Sequence, residues 1–142
     1  MKVRDCMSSS TISVAAEESA AVAARVMARH NVGSLPVRGS GGRLVGIVTD
    51  RDLVLRVLAT GEDAGKMPVG SIMTSRVSAV SPDDDLAYAG EVMAREQVRR
   101  LPVVARGKLA GVVSLADLTR YREYTMETAQ ALTEISRNVK QR

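Results

Sequence analysis

The sequence has very few aromatic side chains: it contains no Trp, no Phe and only three Tyr among its 142 residues. Proteins that bind single-stranded nucleic acid stack the bases on aromatic side chains, so this composition argues against such a surface. Hydrophobic residues make up 45% of the chain. We therefore expect a buried core built from aliphatic side chains and Met.

Cysteine and histidine are equally scarce, because Cys6 and His30 are the only ones. A lone cysteine cannot form an intrachain disulfide, which favours a reducing compartment. Two such residues are too few for a structural zinc site, and neither lies in a motif typical of a nucleophile or a base. We expect no catalytic residues and no metal site, and hence a protein that is not an enzyme.

Long apolar runs are missing as well. No stretch approaches the roughly 18 apolar residues of a membrane span, and no apolar segment follows the charged start of the chain. We expect neither a signal peptide nor a membrane segment, and hence a soluble cytoplasmic protein. The sequence contains neither the Gly-x-x-x-x-Gly-Lys-Ser/Thr loop nor the Gly-x-Gly-x-x-Gly fingerprint of nucleotide-binding proteins. The Gly-rich run at residues 39–42 predicts a hairpin turn.

Charge is almost balanced: 20 Lys and Arg against 16 Asp and Glu give a net charge of +4. The two signs are interspersed along the chain, so no basic arm or acidic tail is present. The positive net charge favours nucleic acid binding, whereas the even spread and the missing aromatics argue against it.

The chain is an internal duplication. Val26 corresponds to Val92 and Leu35 to Leu101, an offset of 66 residues that becomes 65 from Leu44 onward. Repeats of this kind indicate two copies of one structural unit. We predict a first repeat at 1–62, a linker at 63–68, a second repeat at 69–122 and a C-terminal segment at 123–142.

Both copies carry the same pattern of predicted elements, which indicates a mixed α+β fold. Each begins with a short strand, at 12–14 and 77–80, and continues with a helix, at 17–30 and 83–97. Two strands joined by a turn follow, and a second helix starts near Asp50 or Leu115.

The sequence around residues 81–85 predicts how the long helix of the second copy begins. Ser81 is the expected N-cap and Pro82 the first helical residue. The three acidic residues at 83–85 would then lie at the positive end of the helix dipole, although they could also attract a cation.

The C-terminal segment has no Gly or Pro, and Leu132, Ile135 and Val139 fall on one face of a helix. An amphipathic helix of this kind either docks a partner or packs on its own chain. The sequence leaves these two alternatives open.

The duplication and two short motifs resemble the CBS-domain family, whose paired repeats form a Bateman module. The motifs run from Gly46 through Thr49 to Asp52 and from Gly111 through Ser114 to Asp117, and the resemblance covers about residues 1–121. It implies two repeats related by a pseudo-twofold axis and clefts that bind adenosine-containing ligands. It also implies association into homodimers.

The motifs have a chemical rationale and a simpler alternative. An ionised Asp can accept hydrogen bonds from both ribose hydroxyls, while a Thr or Ser hydroxyl and free backbone N–H groups suit a phosphate. Thr49 with Asp52, and Ser114 with Asp117, also match a helix capping box.

The resemblance implies that each cleft joins the Asp motif of one repeat to residues of the other. The first cleft would combine Thr49, Arg51, Asp52, Val77, Ser78, Val98, Arg99 and Arg100. The second would combine Thr11, Ile12, Val32, Gly33, Ser34, Ser114, Ala116 and Asp117. Because Arg99 and Arg100 stand where the other copy has Gly33 and Ser34, we expect a nucleotide to prefer the first cleft. The alternative is that the Arg pair only solvates a surface beside Glu91 and Glu96.

These observations predict a regulatory module that binds an AMP-, ADP- or ATP-like ligand and signals to an unidentified partner protein. No cofactor is required, and magnesium would enter only with the phosphates of a bound nucleotide. The alternative is an assembly module that forms homodimers and has empty clefts.

Overall fold

The computed structural model describes residues 1–9, 11–120 and 125–140, and in the last range the side chains of residues 128–137. The chain divides into two units with a mixed α+β fold, as the sequence predicted. The repeat-1 unit is Ile12–Val77, and the repeat-2 unit is Met1–Thr11 together with Ser78–Arg142. Each unit therefore contains a segment from the start of the other sequence repeat, and we call residues 1–9 and 69–77 the crossing segments.

The repeat-1 unit is built on a three-stranded sheet in the order β1 (Val14–Ala15), β2 (Ser34–Arg38), β3 (Leu44–Thr49). Strand β1 runs parallel to β2, and β2 runs antiparallel to β3. The helices are α1 (Ala20–His30), α2 (Asp50–Leu53), which continues as a π-helical turn over Val54–Leu58, and the short α3 (Val69–Ile72).

The repeat-2 unit begins with a 3-10 turn at Val3–Asp5 and contains α4 (Leu86–Glu96), α5 (Leu115–Thr119) and α6 (Thr125–Lys140). Its sheet is the antiparallel pair β4 (Arg100–Ala105) and β5 (Lys108–Ser114). The strand predicted at 77–80 is reduced to a single parallel bridge between Val80 and Val103. Only Val80 of this segment pairs with the ladder, and the Ser81–Asp84 turn follows it directly.

The predicted start of the long helices is wrong by about one turn. Helix α1 is capped by Ser19, which accepts a hydrogen bond from the Val22 N–H (3.2 Å), and α4 is capped by Asp85, which accepts from the Ala87 N–H (3.1 Å). The sequence had placed the second cap at Ser81.

Ser81 does not cap α4 because it closes a separate turn with Asp84. The Ser81 N–H donates to Asp84 Oδ2 (2.8 Å), and the Asp84 N–H donates to the Ser81 carbonyl (3.1 Å). Asp83 pairs with Arg4 and, at 3.8 Å, with Lys2. The three acidic residues therefore have three separate structural roles: ion pair, turn and cap.

Each unit has its own aliphatic core. In the repeat-1 unit this core lies between the sheet and helices α1 and α3, and its fully buried members include Ala23, Leu35, Val37, Val48 and Val69. In the repeat-2 unit the matching core includes Leu86, Met93, Leu101, Val103 and Val113.

Helix α6 extends the core of the repeat-2 unit. Ala131 is fully buried, Ile135 is 7% exposed, and both belong to the same cluster as Ala94, Leu115 and Leu118. The described part of the C-terminal segment therefore packs on its own chain. Leu132 is 45% exposed, so its predicted place on the apolar face is wrong, and Val139 lies outside the residues with described side chains. None of the helices within the described ranges combines the length and the apolar character that crossing a bilayer requires.

Candidate ligand-binding motifs

The glycine of each motif lies where a crossing segment passes over the sheet. Ile47 and Thr74 exchange two backbone hydrogen bonds of 2.9 and 2.8 Å, and Ser8 and Val112 exchange two of 2.9 and 3.0 Å. A Cβ atom on Gly46 would lie 2.8 Å from the Thr74 carbonyl oxygen, and one on Gly111 would collide with the Ser8 carbonyl oxygen. The motif glycines therefore admit the neighbouring backbone, a role that sequence reasoning missed.

Asp52 is the most enclosed polar residue of the repeat-1 unit, with 7% of its surface exposed. Its Oδ2 accepts the Thr49 N–H (3.0 Å) and the Thr74 hydroxyl (3.4 Å), and the Asp52 N–H donates back to Thr49 Oγ1 (3.0 Å). Its Oδ1 lies 3.6 Å from Arg56 Nη1.

Asp117 repeats this arrangement in the repeat-2 unit, with 8% of its surface exposed. Its Oδ2 accepts the Ser114 N–H (2.7 Å) and the Ser114 hydroxyl (3.0 Å), and the Asp117 N–H donates to Ser114 Oγ (3.3 Å). Its Oδ1 lies 3.4 Å from Arg120 Nη1.

Both motifs are therefore capping boxes, as the simpler alternative predicted. The cap uses only one oxygen of each carboxylate. Within the described residues, Oδ1 of Asp52 and Oδ1 of Asp117 accept no hydrogen bond and face only a guanidinium group. The capping box orients the carboxylate and leaves acceptor capacity for another donor.

Each unit brings its motif next to the residues that precede its own Leu-Pro-Val strand. Ser34 pairs with Thr49, and the Asp50 N–H donates to the Gly33 carbonyl (2.9 Å). Similarly, Arg100 pairs with Ser114 and the Leu115 N–H donates to the Arg99 carbonyl (2.7 Å). Sequence reasoning did not predict these groupings within one repeat.

The predicted cleft residues are divided between the units. The repeat-1 unit holds Ile12, Val32, Gly33, Ser34, Thr49, Arg51, Asp52 and Val77. The repeat-2 unit holds Thr11, Ser78, Val98, Arg99, Arg100, Ser114, Ala116 and Asp117. Both predicted clefts draw on residues of the two units, and these two groupings stay predictions.

Charge distinguishes the two motifs. A Cβ atom on Gly33 would lie 3.1 Å from Asp50 Oδ2, so a carboxylate occupies the space beside the first motif. In the second copy Leu115 replaces that Asp and Arg99 replaces that Gly. Arg99 and Arg100 are exposed, and in the described part of the chain Glu96 pairs with Arg95 (3.7 Å) and not with them. The second motif therefore lies beside two guanidinium groups that an anion could reach.

Comparison with known proteins identifies this duplicated motif. The family model of the CBS domain matches residues 3–59 and again residues 69–124. The chain belongs to the CBS domain family. The two matches follow one another, so the chain contains a tandem pair of CBS domains.

The relatives of this CBS pair include the CBS domain-containing protein YhcV of Bacillus subtilis, which is 38% identical over 134 residues, 94% of each chain. A second similar protein is hypoxic response protein 1 of Mycobacterium tuberculosis. Its crystal structure with two coordinated zinc ions has a TM-score of 0.78 and 34% identity, covering 85% of this chain and 98% of that one.

A third similar structure is the CBS domain pair of protein MJ0100 in complex with 5′-methylthioadenosine and S-adenosyl-L-methionine. It has a TM-score of 0.71 and 28% identity, and the match covers 84% of this chain and 94% of that chain. CBS pairs are regulatory modules, and proteins built from CBS domains are generally non-catalytic.

Side chains that could together bind a metal ion do not form a cluster in the described part of the chain. Within residues 1–9, 11–120 and 125–140, no three His, Cys, Asp or Glu side chains come together in a way that could hold a metal ion. Cys6 Sγ lies 3.4 Å from Met1 Sδ, and His30 ends α1. Cys6 and His30 belong to different units, so neither unit contains both.

Proposed function

We propose that this CBS pair binds an adenosine-containing ligand and signals to a partner protein by a conformational change. The observation that carries the proposal is the carboxylate of each motif. The capping box holds it in place through one oxygen, and the other oxygen accepts no hydrogen bond from the described residues. The complex of the similar MJ0100 CBS pair with two adenosine compounds supports the ligand class.

Asp52 and Asp117 are the proposed ribose-binding residues. An ionised carboxylate accepts hydrogen bonds from vicinal hydroxyls, and each such charged hydrogen bond is stronger than a neutral one. Arg99 and Arg100 are the proposed phosphate-binding residues, because they are exposed and form no ion pair within the described part of the chain. Magnesium would accompany the phosphates of a nucleotide.

A thermal-shift screen against AMP, ADP, ATP, NAD and S-adenosylmethionine tests this proposal. A ligand that binds only the folded state adds about 2.7 kcal/mol at roughly 100 times its Kd, which raises Tm by several degrees. We expect Asp52→Ala or Asp117→Ala to weaken binding by at least about tenfold, because charged hydrogen bonds to the ribose are lost.

The double variant Arg99→Gln, Arg100→Gln tests in the same screen whether the two Arg residues bind phosphate. It should weaken ATP binding more than S-adenosylmethionine binding, since only ATP carries phosphates. If Asp52→Ala abolishes ATP binding, the grouping predicted from the sequence is supported, whereas loss in Asp117→Ala supports the grouping within the repeat-2 unit. No shift with any of the five ligands would overturn the proposal.

A second proposal is self-association into a homodimer, and an apolar surface of the repeat-1 unit favours it. Val54, Leu55 and Leu58 lie on the π-helical turn after α2 and are 50%, 46% and 71% exposed. The residues at the same repeat positions in the second copy are Thr119, Arg120 and Glu123. The first copy therefore exposes apolar side chains where the second copy has polar ones, as is typical of an interface.

We expect Leu58→Lys to shift the protein from dimer to monomer in analytical ultracentrifugation, because a charge at the most exposed residue of the patch opposes association. Leu132→Lys is the matched control, since Leu132 is an exposed leucine on α6. A wild-type protein that stays monomeric at high concentration, or equal effects of the two variants, would contradict the assembly proposal.

A further inference from the structure

The crossing segment of residues 69–77 contacts the proposed ribose-binding residue of the repeat-1 unit directly. The Thr74 hydroxyl donates to Asp52 Oδ2 (3.4 Å), and Arg56 Nη1 lies 3.6 Å from Asp52 Oδ1. The Thr74 contact joins a residue of the second sequence repeat to the motif of the first.

Arg56 extends the contact into the backbone of the crossing segment. Its Nη1 donates to the Ile72 carbonyl (2.9 Å) and to the Met73 carbonyl (3.0 Å), at the end of α3. The two hydrogens of Nη1 are thereby used, so its interaction with Asp52 is an ion pair without a hydrogen bond. The guanidinium charge is held by the carboxylate on one side and by two carbonyl dipoles on the other.

The repeat-2 unit has no such connection among its described residues. Arg120 pairs with Asp117 at 3.4 Å and donates to no carbonyl of the crossing segment 1–9. Tyr121, which falls outside the described residues, stands at the repeat position of Arg56. Among the described residues, the connection is therefore present at the first motif and not at the second.

We propose that Arg56 transmits the state of the Asp52 carboxylate to the crossing segment, as a positioning residue for the proposed ligand-binding function. A ligand hydroxyl that donates to Asp52 Oδ1 reduces the negative charge that faces Arg56. The ion pair between the guanidinium and the carboxylate then weakens relative to the hydrogen bonds from the guanidinium to the Ile72 and Met73 carbonyls. This shift changes the stability of the backbone hydrogen bonds at Met73 and Thr74. This backbone continues along the chain into Ser78, where the repeat-2 unit resumes.

A double-mutant cycle without ligand tests the connection by amide hydrogen exchange. The reporters are the Met73 N–H, bonded to the Val69 carbonyl (2.9 Å), and the Thr74 N–H, bonded to the Ile47 carbonyl (2.8 Å). We expect Arg56→Gln to accelerate their exchange by about fivefold, because two charged hydrogen bonds are lost at a half-exposed position.

Asp52→Asn keeps an acceptor for the cap and removes the charge, so it should change exchange at Met73 and Thr74 about twofold in the presence of Arg56. In the Arg56→Gln background the same substitution should have no further effect at Met73, whereas Thr74 also responds through its own hydroxyl contact with Asp52. Additive effects of the two substitutions at Met73 would overturn the inference. Unchanged exchange at the core residue Val48 verifies that each variant stays folded.

The matched control is Arg120→Gln, read at the Met7 and Ser8 amides of the other crossing segment. It should leave them unchanged, because Arg120 bonds none of their carbonyls; equal acceleration there would also overturn the inference. Adding AMP or S-adenosylmethionine to the wild type tests whether ligand binding changes exchange at Met73 and Thr74. If none of the five ligands of the thermal-shift screen binds, the proposed function fails, while the ligand-free cycle still decides whether Arg56 makes the connection.

Discussion

Replacing Gly46 with alanine is expected to lower the free energy of unfolding by about 3 kcal/mol, through overpacking and the loss of backbone hydrogen bonds. The new methyl group would lie 2.8 Å from the Thr74 carbonyl oxygen. That oxygen cannot move away freely, because it accepts the Ile47 N–H (2.9 Å) and anchors the crossing segment to β3. Equilibrium unfolding in urea measures the loss.

Gly65→Ala is the matched control for this substitution. A Cβ atom on Gly65 would meet only the Asp63 side chain, at 3.3 Å, and Gly65 lies on the surface. An exposed Gly→Ala change of this kind usually alters stability by less than about 1 kcal/mol. Gly111→Ala should behave like Gly46→Ala, because its methyl group would meet the Ser8 carbonyl. If Gly46→Ala proved as mild as Gly65→Ala, the close passage of the crossing segment would be wrong.

Ala131→Asp is expected to cost about 3 to 5 kcal/mol of unfolding free energy, because it places an unpaired charge in a buried position. Ala131 is fully buried in the same cluster as Ala94, Leu115 and Leu118. We expect a lower Tm and increased exchange throughout α4 and α5, since α6 packs on these two helices.

Ala129→Asp on the same helix isolates the effect of burial. Ala129 is exposed, so the same new charge should change stability by no more than about 0.5 kcal/mol. Circular dichroism during thermal unfolding compares the two variants under identical conditions. Equal Tm values would mean that α6 does not pack on its own unit in solution.

The sequence misplaced two features because local signals compete. Ser81 and Pro82 match a helix start, yet the hydrogen bonds of Ser81 with Asp83 and Asp84 close a separate turn, and Asp85 caps the helix that follows. Leu132 was assigned to the apolar face of α6 by spacing from Ile135. The buried residues among the described side chains of α6 are Thr128, Ala131 and Ile135, which follow one another at helical spacing on one face, and Leu132 lies beside that face.

Residue identity and spacing by themselves determined the duplication, the α+β element order, the aliphatic core and the two capping-box motifs, and with them the family. These features are local or repeat at a constant offset, so each can be recognised from neighbouring residues or from residues at that fixed spacing. Only the tertiary structure decided that the start of each repeat packs in the unit of the other, and that Thr74 and Arg56 therefore reach Asp52. The physical reason is that backbone pairing at a sheet edge depends on which segment lies beside it, and the bonds between Ile47 and Thr74 have no signature in either sequence segment.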